Sequence, residues 1–176
     1  MGLRHVRYAV ERWGVGELWL DGVRLVQHEL PRPDLAPNGP QGIPEIPDIT
    51  LAGEESRDRA DSVTNLTRRL QAFFRGERVD FDDVELDLDW CTPFQRAAVD
   101  ALRAVPYGEV VTYGELAALA GHPGAQRAAG SFCAANRFGL VVPCHRVVAA
   151  SGLGAYGSLG TAYKRRLLEL ESCVSL

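Results

Sequence analysis

Start and stop signals for three short helices lie between residues 92 and 136, and their spacing constrains the fold more than any other part of this 176-residue chain. Thr92 precedes a helical pattern and is followed three residues later by Gln95. The hydroxyl and the amide of such a pair can exchange hydrogen bonds with the first-turn backbone, which is typical of a helix N-terminus. Thr112 and Glu115 repeat the pattern and predict the start of a second helix.

A glycine-containing break at 121–124 separates the second predicted helix from a third, which we place at about 125–135. Two short helices around such a turn are typical of a helix-turn-helix, although an ordinary helical hairpin gives the same pattern. The third helix is rich in small residues, and its long polar side chains are those of Gln126 and Arg127. A major-groove reader would present more of them to base edges. A slim helix can approach the minor groove of DNA closely. The alternative is that its small residues allow close packing against another helix.

One cysteine lies in a motif suited to nucleophilic chemistry. Cys144 stands between Pro143 and His145, with Arg146 next in the chain. A cysteine attacks as thiolate, and an adjacent imidazole or guanidinium lowers the pKa of a thiol. We therefore expect Cys144 to be a nucleophile that is held as thiolate. A cysteine hydrolase is the weaker interpretation, because adjacent residues rarely form a direct dyad and the sequence shows no oxyanion motif.

The first half of the chain predicts a separate small α+β domain at 1–90, followed by a second domain at 91–176. Its predicted elements are strands over 4–12, 17–20, 23–30 and 84–90, turns over 13–16 and 21–22, a proline-rich loop over 31–53, and a helix over 56–75 that ends at Gly76. Residues 1–90 hold 11 basic and 18 acidic side chains, a net charge of −7, and residues 91–176 hold 8 and 5, a net charge of +3. A basic second half favours contact with phosphates.

Composition excludes several other classes of protein. No stretch approaches the ~20 apolar residues of a membrane span, so we expect no membrane partner. The four cysteines form no CxxC pair, which argues against a disulfide framework and against a metal site. We expect an intracellular protein, cytoplasmic in a prokaryote or nuclear in a eukaryote.

The chain resembles the O6-alkylguanine-DNA alkyltransferase family. The segments that carry the resemblance are 106–108, 112–117, 127–130, 143–147 and 164–171, together with Asn136. It covers about residues 92–172 and is loose over the first half. The resemblance implies an α+β fold: a small N-terminal α/β domain with an RNase H-like sheet plus a helix, then a mostly helical domain of winged helix-turn-helix type for DNA binding and alkyl transfer.

The resemblance also implies direct-reversal DNA repair. Such a protein flips O6-alkylguanine out of double-stranded DNA and moves the alkyl group irreversibly onto Cys144, in a single turnover and with no cofactor or metal. O4-alkylthymine stays open as a second substrate, and a monomer is sufficient. Two alternatives stay open as well: a damage sensor that has lost alkyl transfer, and a DNA-binding regulator that uses the helix pair.

Site residues follow from the resemblance position by position. Cys144 is the acceptor, and His145 is the base that deprotonates it through a water molecule. Glu171 holds His145, Asn136 braces the turn before the cysteine, and Tyr113 donates a hydrogen bond to the substrate base. The expected DNA contacts are Thr112, Tyr113, Gln126, Ala128, Gly130 and Arg127, the last entering the base stack in place of the flipped nucleotide. The expected substrate pocket is lined by Tyr156, Ser158, Val147 and Gly157.

The sequence departs from the family pattern at two points. Arg137 follows Asn136 where the family usually has proline, which we expect to loosen the turn. Leu159 stands where the family commonly has glycine, and a bulkier loop over 151–160 would narrow the alkyl pocket. We therefore expect methyl groups to be transferred more readily than benzyl groups.

Overall fold

The computed structural model describes residues 2–33 and 54–172. The chain forms two compact units, Met1–Asp87 and Leu88–Leu176. Most of the proline-rich segment predicted over 31–53 lies outside the described residues. Within the described ranges, no helix combines the length and the apolar character needed to cross a membrane.

The first unit is built on an antiparallel meander, which has three strands within its described residues. They are β1 (Leu3–Val10), β2 (Gly14–Asp21) and β3 (Arg24–Arg32). The hairpin predicted between β2 and β3 is confirmed, with its turn at Gly22, where φ is +64°. Alternate side chains point to opposite faces of a strand, and one face supplies the core. The buried strand residues include Tyr8, Val10, Leu18, Leu20, Leu25 and Leu30.

A long helix, α1 (Glu54–Phe74), confirms the helix predicted for this half of the chain. Its buried apolar positions recur every three or four residues, as expected for a helix with one face on the core. They include Val63, Leu66, Leu70 and Phe73. Gln71 Nε2 donates to the carbonyl of Ala9 at 3.0 Å, which places α1 against β1. Gly76 has a φ of +83°, consistent with its predicted role as the helix stop.

The turn predicted over 13–16 lies at 11–13 instead. Gly14 and Gly16, which were expected in the turn, both belong to β2. A Cβ on Gly16 would stand 2.5 Å from the ring of Tyr8, so only glycine allows this close approach. Strand β3 extends to Arg32, so the first two residues of the loop predicted over 31–53 belong to a strand.

The strand predicted over 84–90 does not form. Leu86 alone pairs, in an isolated parallel bridge with Leu25 of β3. The two backbone hydrogen bonds around this bridge, from Leu25 N to Glu85 O and from Asp87 N to Leu25 O, are both 2.8 Å long. The alternating pattern therefore reflects one short contact with β3 and not a continuous ladder of strand pairs.

The second unit is mostly helical. Its described helices are α2 (Pro93–Arg103), α3 (Tyr113–Leu119), α4 (Gln126–Ala134) and α5 (Gly160–Leu170), with a short 3₁₀ turn at Cys144–Arg146. Both predicted capping boxes are confirmed: Thr92 exchanges hydrogen bonds with Gln95 before α2, and Thr112 does so with Glu115 before α3. Helices α3 and α4 pack on each other as the predicted helix pair.

A short parallel pair of strands connects the helix pair to the cysteine. Strand β4 (Val111–Thr112) leads directly into the first residue of α3, and β5 (Val147–Val148) directly follows the 3₁₀ turn that begins with Cys144. Val111 pairs with Val147, and Thr112 pairs with Val148. This pairing fixes the start of α3 beside the cysteine turn.

Candidate active site

Cys144 is held by the turn that precedes it. Asn136 closes this turn: its Nδ2 donates to the carbonyl of Val142 at 2.8 Å, and its Oδ1 accepts from the backbone N–H of Phe138 at 3.0 Å. The same Nδ2 lies 3.1 Å from the Sγ of Cys144, which is only 8 % exposed. One amide therefore fixes the turn and orients the sulfur.

The turn is closed without the proline that the family pattern has at residue 137. The guanidinium of Arg137 lies over the ring of Trp90, 4.4 Å from its centroid, in a cation–π contact. Leu140 is buried in the same segment with a φ of +66°, in the left-handed region that few side chains adopt. The Asn136 hydrogen bonds close the turn although Arg137 replaces the proline, and the Arg137 side chain packs on an aromatic ring.

Glu171 is the point at which three parts of this unit meet. Its carboxylate accepts from His145 Nε2 at 2.8 Å, from Arg146 Nε and Nη2 at 3.0 Å each, and from the backbone N–H of Gly108 at 3.1 Å. The residue is only 2 % exposed, although it lies one position beyond α5. The expected contact between Glu171 and His145 is therefore present, together with an arginine that the sequence did not assign to Glu171.

The hydrogen bonds define the charge states of this cluster. Burial alone would raise the pKa of Glu171, but hydrogen bonds from His145 and then Arg146 outweigh burial and lower the pKa to about 2. Burial lowers the pKa of His145 below its ordinary value, against the opposing pull of Glu171. At neutral pH, Glu171 is a carboxylate and His145 is a neutral imidazole. Nε2 must carry the proton donated to the carboxylate, so Nδ1 is the basic nitrogen.

The standing thiolate expected at Cys144 is replaced by a thiol. Burial raises the pKa of Cys144, and the hydrogen bond from Asn136 opposes burial without reversing the shift. Arg146, expected to lower the pKa of this thiol, is paired with Glu171 instead. The site therefore holds a thiol next to a neutral base, and the proton must leave the sulfur during the reaction.

Cys144 opens into a small cavity of about 80 Å³. Tyr156 and Gly157 line this cavity as expected, but Val147 and Ser158 do not. Val147 is fully buried in β5, and Ser158 is exposed. The complete lining is Tyr113, Gly130, Cys133, Ala134, Cys144, Ala155, Tyr156 and Gly157.

Two tyrosine hydroxyls are available as donors in the cavity. Burial, and then the nearby Cys133 and Cys144, raise the pKa of Tyr113. Burial, and then Cys144, hold the pKa of Tyr156 well above its ordinary value. The Tyr156 hydroxyl is buried close to the Cys144 sulfur, which contributes to this shift. Both phenols therefore stay protonated at neutral pH and can donate to a ligand.

Sequence reasoning missed Lys164, which is fully buried in α5. Its Nζ donates to the carbonyls of Val147 and Leu153, each at 2.5 Å. A signal was present: Lys164, Leu167, Leu168 and Glu171 recur at the spacing of one helix face, and the two leucines mark that face as buried. Cys133, Ala134 and Ala155 were also missed as cavity residues.

Helix α4 presents much of its small-residue surface to solvent. Gln126, Arg127 and Ala128 are exposed, and a Cβ added at Gly130 would meet no atom within 4 Å. Ala129 and Phe132 supply the buried face instead. Thr112, also expected to contact DNA, is half-buried and uses its hydroxyl to cap α3. The glycine at 130 is therefore not needed for a helix–helix contact within this unit.

Comparisons with known proteins identify the family of this chain. Residues 93–173 match the family described as 6-O-methylguanine DNA methyltransferase, DNA binding domain. A methylated-DNA–protein-cysteine methyltransferase of Methanopyrus kandleri is 42 % identical over 130 residues, which cover 72 % of this chain and 95 % of that protein.

Solved structures extend the similarity to almost the full length. The O6-methylguanine methyltransferase of Mycobacterium tuberculosis superposes with a TM-score of 0.73 at 32 % identity, over 99 % of this chain and 96 % of that one. The Mycobacterium tuberculosis OGT in complex with DNA gives a TM-score of 0.72 at 34 % identity, over 96 % and 92 % of the two chains. This chain therefore belongs to the methylated-DNA–protein-cysteine methyltransferase family.

Proposed function

We propose that this protein repairs O6-alkylguanine in double-stranded DNA by direct reversal, with Cys144 as the alkyl acceptor. The observation that carries the proposal is one connected arrangement. The Cys144 sulfur is held by Asn136 at the edge of a cavity, and the neutral His145 beside it is anchored on the Glu171 carboxylate. The names of relatives that share this fold support the same activity.

The transfer follows from the charge states of the site. His145 Nδ1 accepts the thiol proton through a bridging water, and Glu171 stabilises the imidazolium that forms. The thiolate then attacks the alkyl carbon in line with the C–O6 bond, the C–O6 bond breaks, and its electron pair stays on guanine. Tyr113 donates a hydrogen bond to the base as this charge develops, and guanine takes up one proton. Cys144 ends as a thioether, which this site cannot hydrolyse, so each protein molecule reacts once.

The helix pair α3–α4 supports a role in DNA contact. We assign it as the helix-turn-helix of a winged domain, and the sheet of the first unit as RNase H-like. Helices α2 and α3 have capping boxes, whereas Ala125, the residue before α4, provides no side-chain cap. The N–H groups of the first turn of α4 can donate to a DNA phosphate. The Arg127 side chain can fill the space that a flipped base leaves. Residues 112, 113, 126, 128 and 130 complete the proposed DNA surface.

The two alternative functions are less well supported. A silent damage sensor would not need a cysteine, a base and a carboxylate arranged for proton removal. A sequence-specific regulator would need several base-reading side chains on α4, where the exposed long polar residues are Gln126 and Arg127.

Mass spectrometry after incubation with a methylated-guanine duplex tests the proposed function. We expect the protein to gain the mass of one methylene group, since a methyl replaces the thiol proton, and the Cys144 peptide to carry it. The gain should saturate at one per molecule. Cys144→Ser should show no gain, and an unmodified wild-type protein would contradict the proposal.

Gly130→Ala is expected to raise stability and lower repair. Alanine in a helix interior is favoured over glycine by about 0.5–1 kcal/mol, and the new Cβ meets no neighbour. The methyl group would project from α4 where Gly130 lines the cavity, and would slow transfer from duplex DNA. Thermal unfolding measures the expected rise in stability, and single-turnover kinetics measure the expected fall in the repair rate. A variant with unchanged repair would show that DNA does not approach this surface.

The small cavity beside Cys144 bears on which alkyl groups can be transferred. A cavity of about 80 Å³ is smaller than a purine, so the loop around Tyr156 must move for either substrate, and it must move further for a benzyl ring than for a methyl group. In a competition between O6-methylguanine and O6-benzylguanine duplexes, we expect methyl transfer to be the faster reaction. Equal rates would mean that the loop around Tyr156 opens to admit the larger group.

A further inference from the structure

Arg137 is an exposed residue in the turn that holds the sulfur, and the transfer steps assign no role to it. It lies between Asn136, whose amide is 3.1 Å from the Cys144 Sγ, and Phe138, whose backbone N–H donates to the same amide side chain. An exposed arginine could extend into water. The Arg137 guanidinium instead lies over the ring of Trp90, 4.4 Å from its centroid. The side chain therefore ties the middle of the turn to a ring outside it.

Trp90 stands where the chain enters α2. It lies two residues before Thr92, the residue that caps this helix. The indole is half-buried, and its ring centroid lies 6.3 Å from that of Phe138, which is almost fully buried. Ring pairs at this separation attract each other. Trp90 therefore contacts two consecutive residues of the cysteine turn, Arg137 through a cation–π contact and Phe138 through its ring.

The backbone of this turn is strained and sharply bent. Leu140 has a φ of +66°, in a region that costs free energy for a residue with a side chain. Hydrogen bonds from Val142 N to Phe138 O and from Cys144 N to Val142 O, both 2.8 Å long, bend the chain further before the sulfur. A proline at residue 137 would restrict the middle of the turn through its own ring. Arginine has no such restriction, so the support has to come from contacts of its side chain.

We propose that Arg137 and Trp90 form a positioning pair for alkyl transfer, which holds the turn so that the Asn136 amide stays on the Cys144 sulfur. The pair replaces the backbone restriction that a proline would provide. Both residues act through Asn136, and the thiol proton still passes to His145. The inference rests on the proposed function, because the sulfur that it concerns is the alkyl acceptor.

The reactivity of the sulfur reports on this contact. Burial raises the pKa of the Cys144 thiol, and the hydrogen bond from Asn136 is the largest of the effects that oppose burial. A looser turn would weaken this hydrogen bond, so the thiol would ionise at higher pH. Substitution of Arg137 or Trp90 leaves in place the other titratable groups around the sulfur, which are Tyr113 on α3, Cys133 on α4, His145 in the 3₁₀ turn, Tyr156 in the loop and Lys164 on α5.

The pH profile of Cys144 alkylation by iodoacetamide, followed by mass spectrometry of the Cys144 peptide, tests the pair. Arg137→Gln removes the cation, and Trp90→Leu removes the ring. We expect each variant to shift the profile to higher pH and to lower the rate at neutral pH by roughly two- to fivefold, the size expected for one exposed cation–π contact. The double variant should be no slower than Trp90→Leu alone, because both substitutions remove the same contact. Trp19→Leu, which removes a half-buried indole from β2, is the matched control and should leave the profile unchanged.

Arg137→Pro separates positioning of the sulfur from a general loss of stability. Within the described residues the Arg137 N–H makes no backbone hydrogen bond, so proline removes none. The proline ring should hold the turn without Trp90. In the Arg137→Pro background, we therefore expect Trp90→Leu to leave the alkylation rate unchanged.

Folded Arg137→Gln and Trp90→Leu variants with the wild-type profile would overturn the proposal, and so would fully additive effects of the two substitutions. If Trp90→Leu fails to fold, the profile of Arg137→Gln decides alone, since this substitution changes an exposed side chain. Iodoacetamide needs neither DNA nor an alkylated base. A protein that shows these shifts but ignores methylated duplex would contradict the proposed function and leave the role of the pair standing.

Discussion

Glu171→Gln is expected to lower the free energy of unfolding by about 3–5 kcal/mol and to abolish most alkyl transfer. The carboxylate is the buried partner of both Arg146 and His145, and removing one member of a buried ion pair leaves an uncompensated charge. An amide can accept from only one of these donors and presents its own N–H groups to the other. Transfer falls as well, because the imidazolium that forms during the reaction loses its counter-charge. Chemical denaturation and single-turnover repair kinetics measure the two effects.

Glu169→Gln is the matched control for this prediction. Glu169 lies on the same helix and is exposed, so its replacement should change stability by no more than about 0.5 kcal/mol. A Glu171 variant as stable as this control would show that the buried cluster contributes nothing to the fold.

The Glu171 carboxyl group should also make the stability of the protein depend on pH in the acid range. The pKa of Glu171 in the folded protein is about 2, below the value of about 4.3 for an unperturbed glutamate. A group with a lowered folded pKa stabilises the fold above its unfolded pKa, and this stabilisation is lost as the pH falls through the folded pKa. The stability difference between the wild type and Glu171→Gln should therefore be constant near neutral pH and shrink from about pH 4.3 towards about pH 2.

Arg127→Ala is expected to reduce repair of duplex DNA by on the order of a hundredfold, while reaction with the free base O6-methylguanine is unchanged. Extruding a base costs a few kcal/mol, and a side chain that fills its place recovers part of this cost. Arg127 is exposed near the start of α4, away from the buried face of this helix. The ratio of the two rates is the measurement, because a damaged cysteine site would slow both reactions equally.

Arg96→Ala separates the loss of a charge from the loss of the inserted side chain. Arg96 is an exposed arginine of the same unit but lies on α2. It should change the duplex rate only to the extent that overall charge attracts DNA. Equal effects of the two substitutions, or an unchanged duplex rate for Arg127→Ala, would exclude base replacement by Arg127.

Local sequence signals predicted the starts of α2 and α3 in the second unit. The capping residues Thr92 and Thr112 use side chains that contact their own first turn, so no distant contact is needed to place the helix ends. The predicted turn at 13–16 failed because the space beside Gly16 is set by Tyr8 across the sheet. Close backbone packing of this kind leaves the same glycine in the sequence as a tight turn does.

The sequence indicates candidate site residues, but it does not indicate which of their charges are paired. Cys144 and His145 stand together in the sequence, whereas the partner of Arg146 is Glu171, 25 residues away. That long-range pair removes the cation expected to lower the pKa of the cysteine, and burial then determines the direction of the shift. Electrostatics of this type depends on tertiary contacts that no short motif records.

The two-residue pairing of β4 with β5 has a consequence for how this chain can vary in length. Successive side chains of a strand point in opposite directions, so a register slip of one residue would turn Tyr113 and its neighbours away from the sulfur. An insertion just before Val111 should therefore inactivate the protein although the local backbone survives. The exposed break at 121–124 is free of this constraint, and an insertion there should leave the cysteine site in place.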